Sequence, residues 1–510
     1  MPQITDSVRL LLINVFLISS FVKCDVDRPA NIIFIMADDM GWNDIGYHNP
    51  TMKTPNLDKL AAEGVKLHSY YMPSICTPSR SVFLTGRYEI RYGLQHGVLG
   101  HYQRRCLSTE ETTFAEKLKE KGYSTHLVGK WHLGFYKDGC LPRQRGFDSF
   151  FGFYLGAEDY FNHDSTMQGH HGFDFRRNED DVSQEYVGQY STHLFASEAQ
   201  DIIRNHDPSK PLFLFLSFQA VHMPLQVPEK YAALYDHVYG NHDDWRTYAG
   251  MVTCMDEAIG NVTRTLKASP LWQNTVLVFS TDNGADAKFI GSNFPLRGAK
   301  ATLFEGGVRG LGFVTSPLLS PEVVGKTNRE LLHMSDWFPT FLHLAGGEHS
   351  LDKPIDGMNQ WETISLGKPS PRQEILHTID TLALRPVDRG REKYSKNPYF
   401  DVFTLAAIRL GDWKLLTGPA GNDSWIPPPS AKYKPFHPQK LYGKVVRLYN
   451  IAKDPYERKD VSEENPEIVV ALLRRLGEFN KETVKPTYPG VIDVIYGNPD
   501  EHGGLWAPWG

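Results

Sequence analysis

Apolar runs that stop abruptly at ionisable or amide side chains recur along the first part of the chain. "NIIFIMADD" ends in Asp38 and Asp39, "YSTHLVGKWH" in Lys130 and His132, "PLFLFLSFQAVH" at His222, and "NTVLVFSTDNG" in Asp282 and Asn283. Runs this short, rich in Ile, Phe, Val and Leu, predict strands buried on both faces of a largely parallel sheet. Between them "TTFAEKLKEKGY" and "THLFASEAQDIIRNH" carry helical spacing. Strand alternating with helix predicts an α/β sandwich, in which ligands gather at the carboxyl ends of the strands. The polar residues that close the four runs are therefore expected along one edge of one sheet.

Past about residue 365 the pattern changes. "LAAIRLGDWKLLTG" and "KVVRLYNIAKDPYE" predict antiparallel strands with turns, and "NPEIVVALLRRLGEFNKE" predicts an amphipathic helix with a Pro in its first turn. The Pro-rich "SWIPPPSAKYKPFHPQK" predicts a surface loop. Residues 25–365 are thus expected to form a large α/β domain and 366–510 a smaller α+β domain with an antiparallel sheet. No internal repeat is visible.

The N-terminus sets the compartment. Arg9 precedes an apolar run from Leu10 to Val22, too short to span a bilayer and placed where a secretory signal belongs, so 1–24 is read as a signal peptide. No later stretch has spanning length. A secreted or lysosomal protein is expected, and the sequons Asn261-Val-Thr263 and Asn422-Asp-Ser424 are compatible with that route. With 41% hydrophobic and 22% charged residues the 510-residue chain is globular, and a net charge of −6 without basic runs argues against nucleic acid or an anionic membrane as partner. The five cysteines are few for a secreted chain. Cys24 borders the signal, and Cys254 lies in a helical pattern as a small buried hydrophobe. Cys106 and Cys140 are left as the expected disulfide, and Cys76 has no partner.

Asp38, Asp39, Asp282 and Asn283 offer only oxygen donors, and adjacent carboxylates repel unless a cation or proton is shared. Each pair alone reads equally well as turn chemistry; together at two strand ends they favour a hard cation, Ca²⁺ or Mg²⁺. Arg80, Lys130, His132, His222 and Lys300 form a basic set suited to a tetrahedral anion such as sulfate or phosphate. In "SICTPSRSVFLTG", Ser74 can cap and Pro78 suits an early helical position, which sets Cys76 at a helix N-terminus. There it can be a thiolate nucleophile or a buried structural thiol.

"CTPSR…LTG" and "GYSTHLVGKWHLG" resemble the two signatures of the formylglycine-dependent sulfatase family, and the likeness runs from about Asn31 to the "WAPWG" end. Within that family, "RYGLQHGV", "GAEDYF", "MDEAIGNVT", "STDNGA" and "DWKLLTG" are most similar to the arylsulfatase B type. The resemblance implies an alkaline-phosphatase-like fold, and it implies that Cys76 is oxidised to Cα-formylglycine by the formylglycine-generating enzyme. It assigns Asp38, Asp39, Asp282, Asn283 and the modified Cys76 to one Ca²⁺. It gives Arg80, Lys130, His132, His222 and Lys300 to sulfate binding and proton transfer. A carbohydrate or aryl sulfate ester is the implied substrate; small dietary esters such as glucosinolates, or a phosphodiester within the same superfamily, are the alternatives. The stretches "YFNHDSTMQGHHGFDFRR" and "RPVDRGREKYSKNPYF" depart from the family pattern and bear on which ester is taken.

Overall fold

The computed structural model describes residues 28–347, 351–383, 392–421, 424–431 and 444–510. The expected signal segment with Cys24, the sequon at Asn422, and parts of the 385–400 stretch and the Pro-rich loop lie outside these.

The strands are β1 (Asn31–Ala37), β2 (Val65–Tyr71), β3 (Ser124–Lys130), β4 (Ser149–Phe153), β5 (Asp164–Met167), β6 (His170–Phe173), β7 (Arg176–Arg177), β8 (Asp180–Asp181), β9 (Leu212–Ser217), β10 (Thr275–Thr281), β11 (Gly312–Thr315), β12 (Thr327–His333), β13 (Glu374–Asp380), β14 (Leu405–Leu410), β15 (Trp413–Thr417) and β16 (Arg447–Asn450). Ten of them form one sheet in the order β12-β2-β11-β10-β1-β9-β3-β4-β7-β8. β1 pairs in parallel with β9 and β10, and β3 in parallel with β9 and β4. The departures from the expected parallel order are β11, antiparallel to β10 and β2, and the edge strands β7 and β8, antiparallel to β4 and to each other.

Every residue of β1, β9 and β10 is buried, because helices cover both faces of the sheet. Pro55–Ala62, Ser191–Asn205 and Asp243–Ala268 pack on one face; Cys76–Thr85, Phe114–Glu120 and Trp337–Leu344 pack on the other. The Phe114 helix starts at a capping box, with Thr113 Oγ1 accepting from Glu116 N and Glu116 Oε2 accepting from Thr113 N. Asn261 of the first sequon lies within the helix Asp243–Ala268, as does the buried free Cys254. Cys106 and Cys140 are bonded, as expected.

β13 to β16 form the predicted antiparallel sheet, and the helix Pro466–Asn480 packs against β14. From there the chain crosses back. Phe173 exchanges backbone hydrogen bonds with Gly504 and Trp506, and the Trp506 side chain is fully buried in the core of the large sheet.

One buried acid makes stability depend on pH. Glu89, in the short turn after the Cys76 helix, is 1% exposed, and its Oε2 has no partner among the described residues. Burial pushes its pKa up to about 7. A folded pKa above the unfolded one means the contribution is present below about pH 4.5 and is lost as pH rises through 7. Glu89→Gln should therefore gain roughly 2 kcal/mol relative to wild type between pH 5 and pH 8. Thermal melts of both proteins at the two pH values check it; a difference independent of pH would show that Glu89 is ionised throughout.

Candidate active site

β1, β9, β10 and β3 lie side by side, so the residues that follow their carboxyl ends converge. Asp38 and Asp39 follow β1, Asp282 and Asn283 follow β10, Lys130 closes β3 with His132 just beyond, and His222 sits in the loop after β9. Asp39 and His132 both have positive φ, 58° and 56°. Such a backbone costs about 1 kcal/mol or more for these residues and turns each chain sharply at the strand end.

Lys300 comes from the long loop after β10, and the helix Cys76–Thr85 delivers Cys76 and Arg80. Every residue in it is buried, and it stops at Gly86, whose φ of 66° and 2.6 Å clearance from Phe338 for an added Cβ admit only glycine. Its N-cap is Ile75 rather than Ser74, and no side chain caps it; the Ser74 carbonyl instead accepts from Ala301 N.

Arg80, 1% exposed, ties the strand ends together. Its Nη1 donates to Ser217 Oγ (2.7 Å) and to the Lys130 carbonyl (3.2 Å), and its Nη2 donates to Asp282 Oδ2 (3.0 Å) and lies 3.6 Å from Asp38 Oδ2. Lys130 pairs with Asp38, and Lys300 Nζ donates to Asp39 Oδ2 at 2.6 Å. Three acidic side chains are thereby paired with three basic ones. Asn283 Nδ2 donates to Asp39 Oδ1 (2.7 Å), while its Oδ1 is buried without a partner among the described residues. Cys76 Sγ lies 3.5 Å from Asp38 Oδ1, and ligand atoms of Asp38, Asp39, Cys76 and His222 fall within 4.8 Å of one another.

Opposing effects set the charge states. Burial works to raise the Asp38 carboxyl, but Lys130, His222, Arg80 and Lys300 together hold it well below the usual carboxylate range. For Asp282, burial and the Asp38 charge prevail over Arg80 and push it up to about 7. Burial and Asp38 push the Cys76 thiol far up as well, so the helix N-terminus does not create a thiolate here. The unmodified side chain is a neutral thiol. Burial, Lys130 and Arg80 drive His132 well below its ordinary value, leaving it neutral, with Nδ1 unpartnered among the described residues. Burial also lowers His222, against the pull of Asp39 and Asp38. Its Nδ1 faces the Met223 carbonyl (2.6 Å) and must donate to it, which leaves Nε2 toward the site, 3.6 Å from Asp39 Oδ2.

All the residues expected from the sequence are brought to this edge. Others there were not anticipated. Ser217 receives Arg80 and donates in turn to the Lys130 carbonyl (2.8 Å); its only sequence signal is that it ends the run "FLFLS". The pocket of about 240 Å³ over Asp39 and Lys300 is also lined by Met223, Tyr248, Asp286 and Phe289. Phe289 and Met223 are 71% and 47% exposed and form an apolar lip.

A mixed, mainly parallel sheet with helices on both faces, a smaller antiparallel sheet, and a charged site at the strand ends define a hydrolase of alkaline-phosphatase-like fold. The sulfatase family model matches residues 30–347, and the chain belongs to that family as a sulfuric ester hydrolase. Arylsulfatase J of Mus musculus is 46% identical over 489 residues, covering 94% of this chain and 80% of that relative. The N-acetylgalactosamine-6-sulfatase of Rattus norvegicus is 30% identical, covering 88% of this chain and 84% of its own. Among solved structures, Ps i-CgsB superposes with a TM-score of 0.75 at 27% identity, over 93% of this chain and 98% of that one. A second structure of that protein is a complex with k-i-k-neocarrahexaose, at a TM-score of 0.74, 26% identity, 90% of this chain and 95% of the other.

Proposed function

We propose that the protein hydrolyses carbohydrate or aryl sulfate esters with Cys76 converted to Cα-formylglycine and one Ca²⁺ held by Asp38, Asp39, Asp282, Asn283 and the modified side chain. The observation that carries this is the buried, alternating cage of Asp38, Asp39 and Asp282 with Arg80, Lys130 and Lys300, closed around the first residue of a helix. The donor set suits a hard cation: it is made of carboxylate and amide oxygens, and Asn283 Oδ1 has no partner among the described residues. When bound, the cation and the hydrated aldehyde supply Lewis acidity and an oxygen nucleophile toward sulfur.

The remaining roles fall to the chain's own side chains. Lys130 and Lys300 carry the charges that receive the anionic sulfate oxygens. Arg80 contacts three strand ends and keeps residue 76 and the carboxylates in register. Neutral His132 accepts a proton. His222, whose Nδ1 is committed to Met223, carries a proton on Nε2 when charged and delivers it to the leaving oxygen. Membership of the sulfatase family favours a sulfate over a phosphodiester.

The names of the relatives support a sulfated sugar, whereas the apolar lip of Phe289 and Met223 favours a small ester with a hydrophobic leaving group, such as an aryl sulfate or a glucosinolate. Turnover of purified protein on a panel of sulfated sugars, aryl sulfates and glucosinolates decides between them. Failure on every sulfate ester would overturn the proposal. The panel also tests Lys300: Lys300→Ala should slow esters of poorly acidic alcohols about tenfold more than activated aryl sulfates, because relief of leaving-group charge matters most there. Equal slowing of both would assign Lys300 to binding alone.

A further inference from the structure

A cleft of about 730 Å³ opens where the ten-stranded sheet meets the C-terminal sheet, and it shares no lining residue with the pocket over Asp39 and Lys300. Three arginines line it: Arg309 from the loop before β11, Arg329 from β12 and Arg409 from β14. The acid in its wall is Asp412.

Arg309 is paired with a carboxylate that it shares with other groups, while Arg329 and Arg409 are held in place by neutral partners. Arg309, 3% exposed, lies 4.5 Å from the centre of the Trp42 ring, which also stacks with His48 at 4.3 Å. Its Nε donates to the His68 carbonyl (2.7 Å), and its Nη2 reaches the His68 ring. The carboxylate beside it, Glu305, is 3.6 Å from Nη1 and is already engaged by Lys414 (2.9 Å) and the Tyr71 hydroxyl (2.8 Å). Arg409 donates to the Gly411 carbonyl (2.9 Å) and to the Tyr71 hydroxyl, and Arg329 donates to the His68 ring. Among the described residues neither has a carboxylate at ion-pair distance.

Burial first, and the neighbouring cations after it, keep the two histidines neutral. Burial, Arg309 and Arg329 push His68 down to about 3; burial, with Arg309 and Lys66 adding to it, pushes His48 to about 4. Neutral imidazoles beside these guanidiniums leave Arg329 and Arg409 as the charges that line a cavity of ordinary ligand size.

The cleft and the active site share two loops. Asp39 faces the active site, while Trp42 and Asn43 face the cleft. Phe289 and Ile290 line the first cavity, Phe294 and Leu296 the second. Asn43 N donates to the Ser292 carbonyl (2.9 Å), and Ser292 N donates to the Asp44 carboxylate (3.0 Å), which joins the loops.

We propose that this cleft is a second oxyanion site, taking a sulfate or phosphate group either as the free ion or as one ester of a multiply sulfated sugar. The proposal builds on the sulfatase reading, and turnover of a small aryl sulfate reports that reading separately.

Calorimetric titration of the full-length enzyme with inorganic sulfate, and steady-state kinetics on a multiply sulfated hexasaccharide, test the two sources. Arg329→Glu is an exposed charge reversal, and Arg409→Gln removes a buried cation; Arg329→Glu carries the test if the buried variant does not fold. If the free ion is the ligand, the wild type binds two sulfates per chain and Arg329→Glu binds the second at least tenfold more weakly. If the ligand is a chain ester, KM for the hexasaccharide rises about tenfold with kcat unchanged. In both cases turnover of the small aryl ester stays at the wild-type rate. Sulfate binding and hexasaccharide KM that are both unaffected by either variant would overturn the proposal.

Discussion

Replacing Cys76 with alanine should abolish sulfate release while leaving the protein folded. The side chain is 1% exposed, and its one polar contact is the weak 3.5 Å approach to Asp38, so its removal costs little packing. The stability change should stay within about 1 kcal/mol, because alanine suits the first turn of a helix and the volume lost is small. The catalytic loss should instead be complete within detection, since burial and Asp38 disfavour a thiolate and the proposed chemistry assigns the nucleophile to the oxidised side chain. Mass spectrometry of the tryptic peptide Leu67–Arg80 should show the aldehyde in active wild-type enzyme. Fully active protein carrying an unmodified thiol would end the proposed chemistry.

Arg80→Lys should be nearly as damaging despite conserving charge. One ammonium cannot reach the Lys130 carbonyl, Ser217 Oγ and Asp282 Oδ2 at once, as the planar guanidinium does. Displacing residue 76 and the carboxylates by a fraction of an ångström is expected to cost about 10²-fold or more in kcat. Leaving a buried carboxylate without its hydrogen bond should remove about 2 kcal/mol of stability. Kinetics and denaturant melts check the two together. Wild-type kcat with reduced stability would make Arg80 a structural residue only.

Much of this site was legible because strand ends are where sequence and function meet. An apolar run that halts at Asp38-Asp39 or Asp282-Asn283 reports both a buried strand and what stands at its end. The family signature around Cys76 and Arg80 reports the helix between them. What escaped has a common physical cause. Ser217 looks like any polar residue after a strand until Arg80, 137 positions away, donates to it. Arg309, Arg329 and Arg409 come from three separate elements, and no local periodicity links them. β7 and β8 are two residues each, too short to alternate, and the antiparallel β11 depends on which strand edge was left open. Ser74 reads as a cap by residue type, but its carbonyl serves Ala301 and Ile75 takes the position.

The return of the C-terminus bears on how this molecule comes apart. The antiparallel sheet and its helix are bracketed in sequence by segments that both belong to the large core, because Trp506 is sealed into it and Arg176 donates to the Trp506 carbonyl at 2.8 Å. The smaller unit cannot swing away like a bead on a string; a chain crossing tethers it at each side. Its melting is thereby coupled to that of the catalytic half, which favours one cooperative calorimetric transition for the whole polypeptide. A chain cut before Trp506 would leave a tryptophan-sized hole in the large core, so the segment that follows the smaller unit seals the larger one.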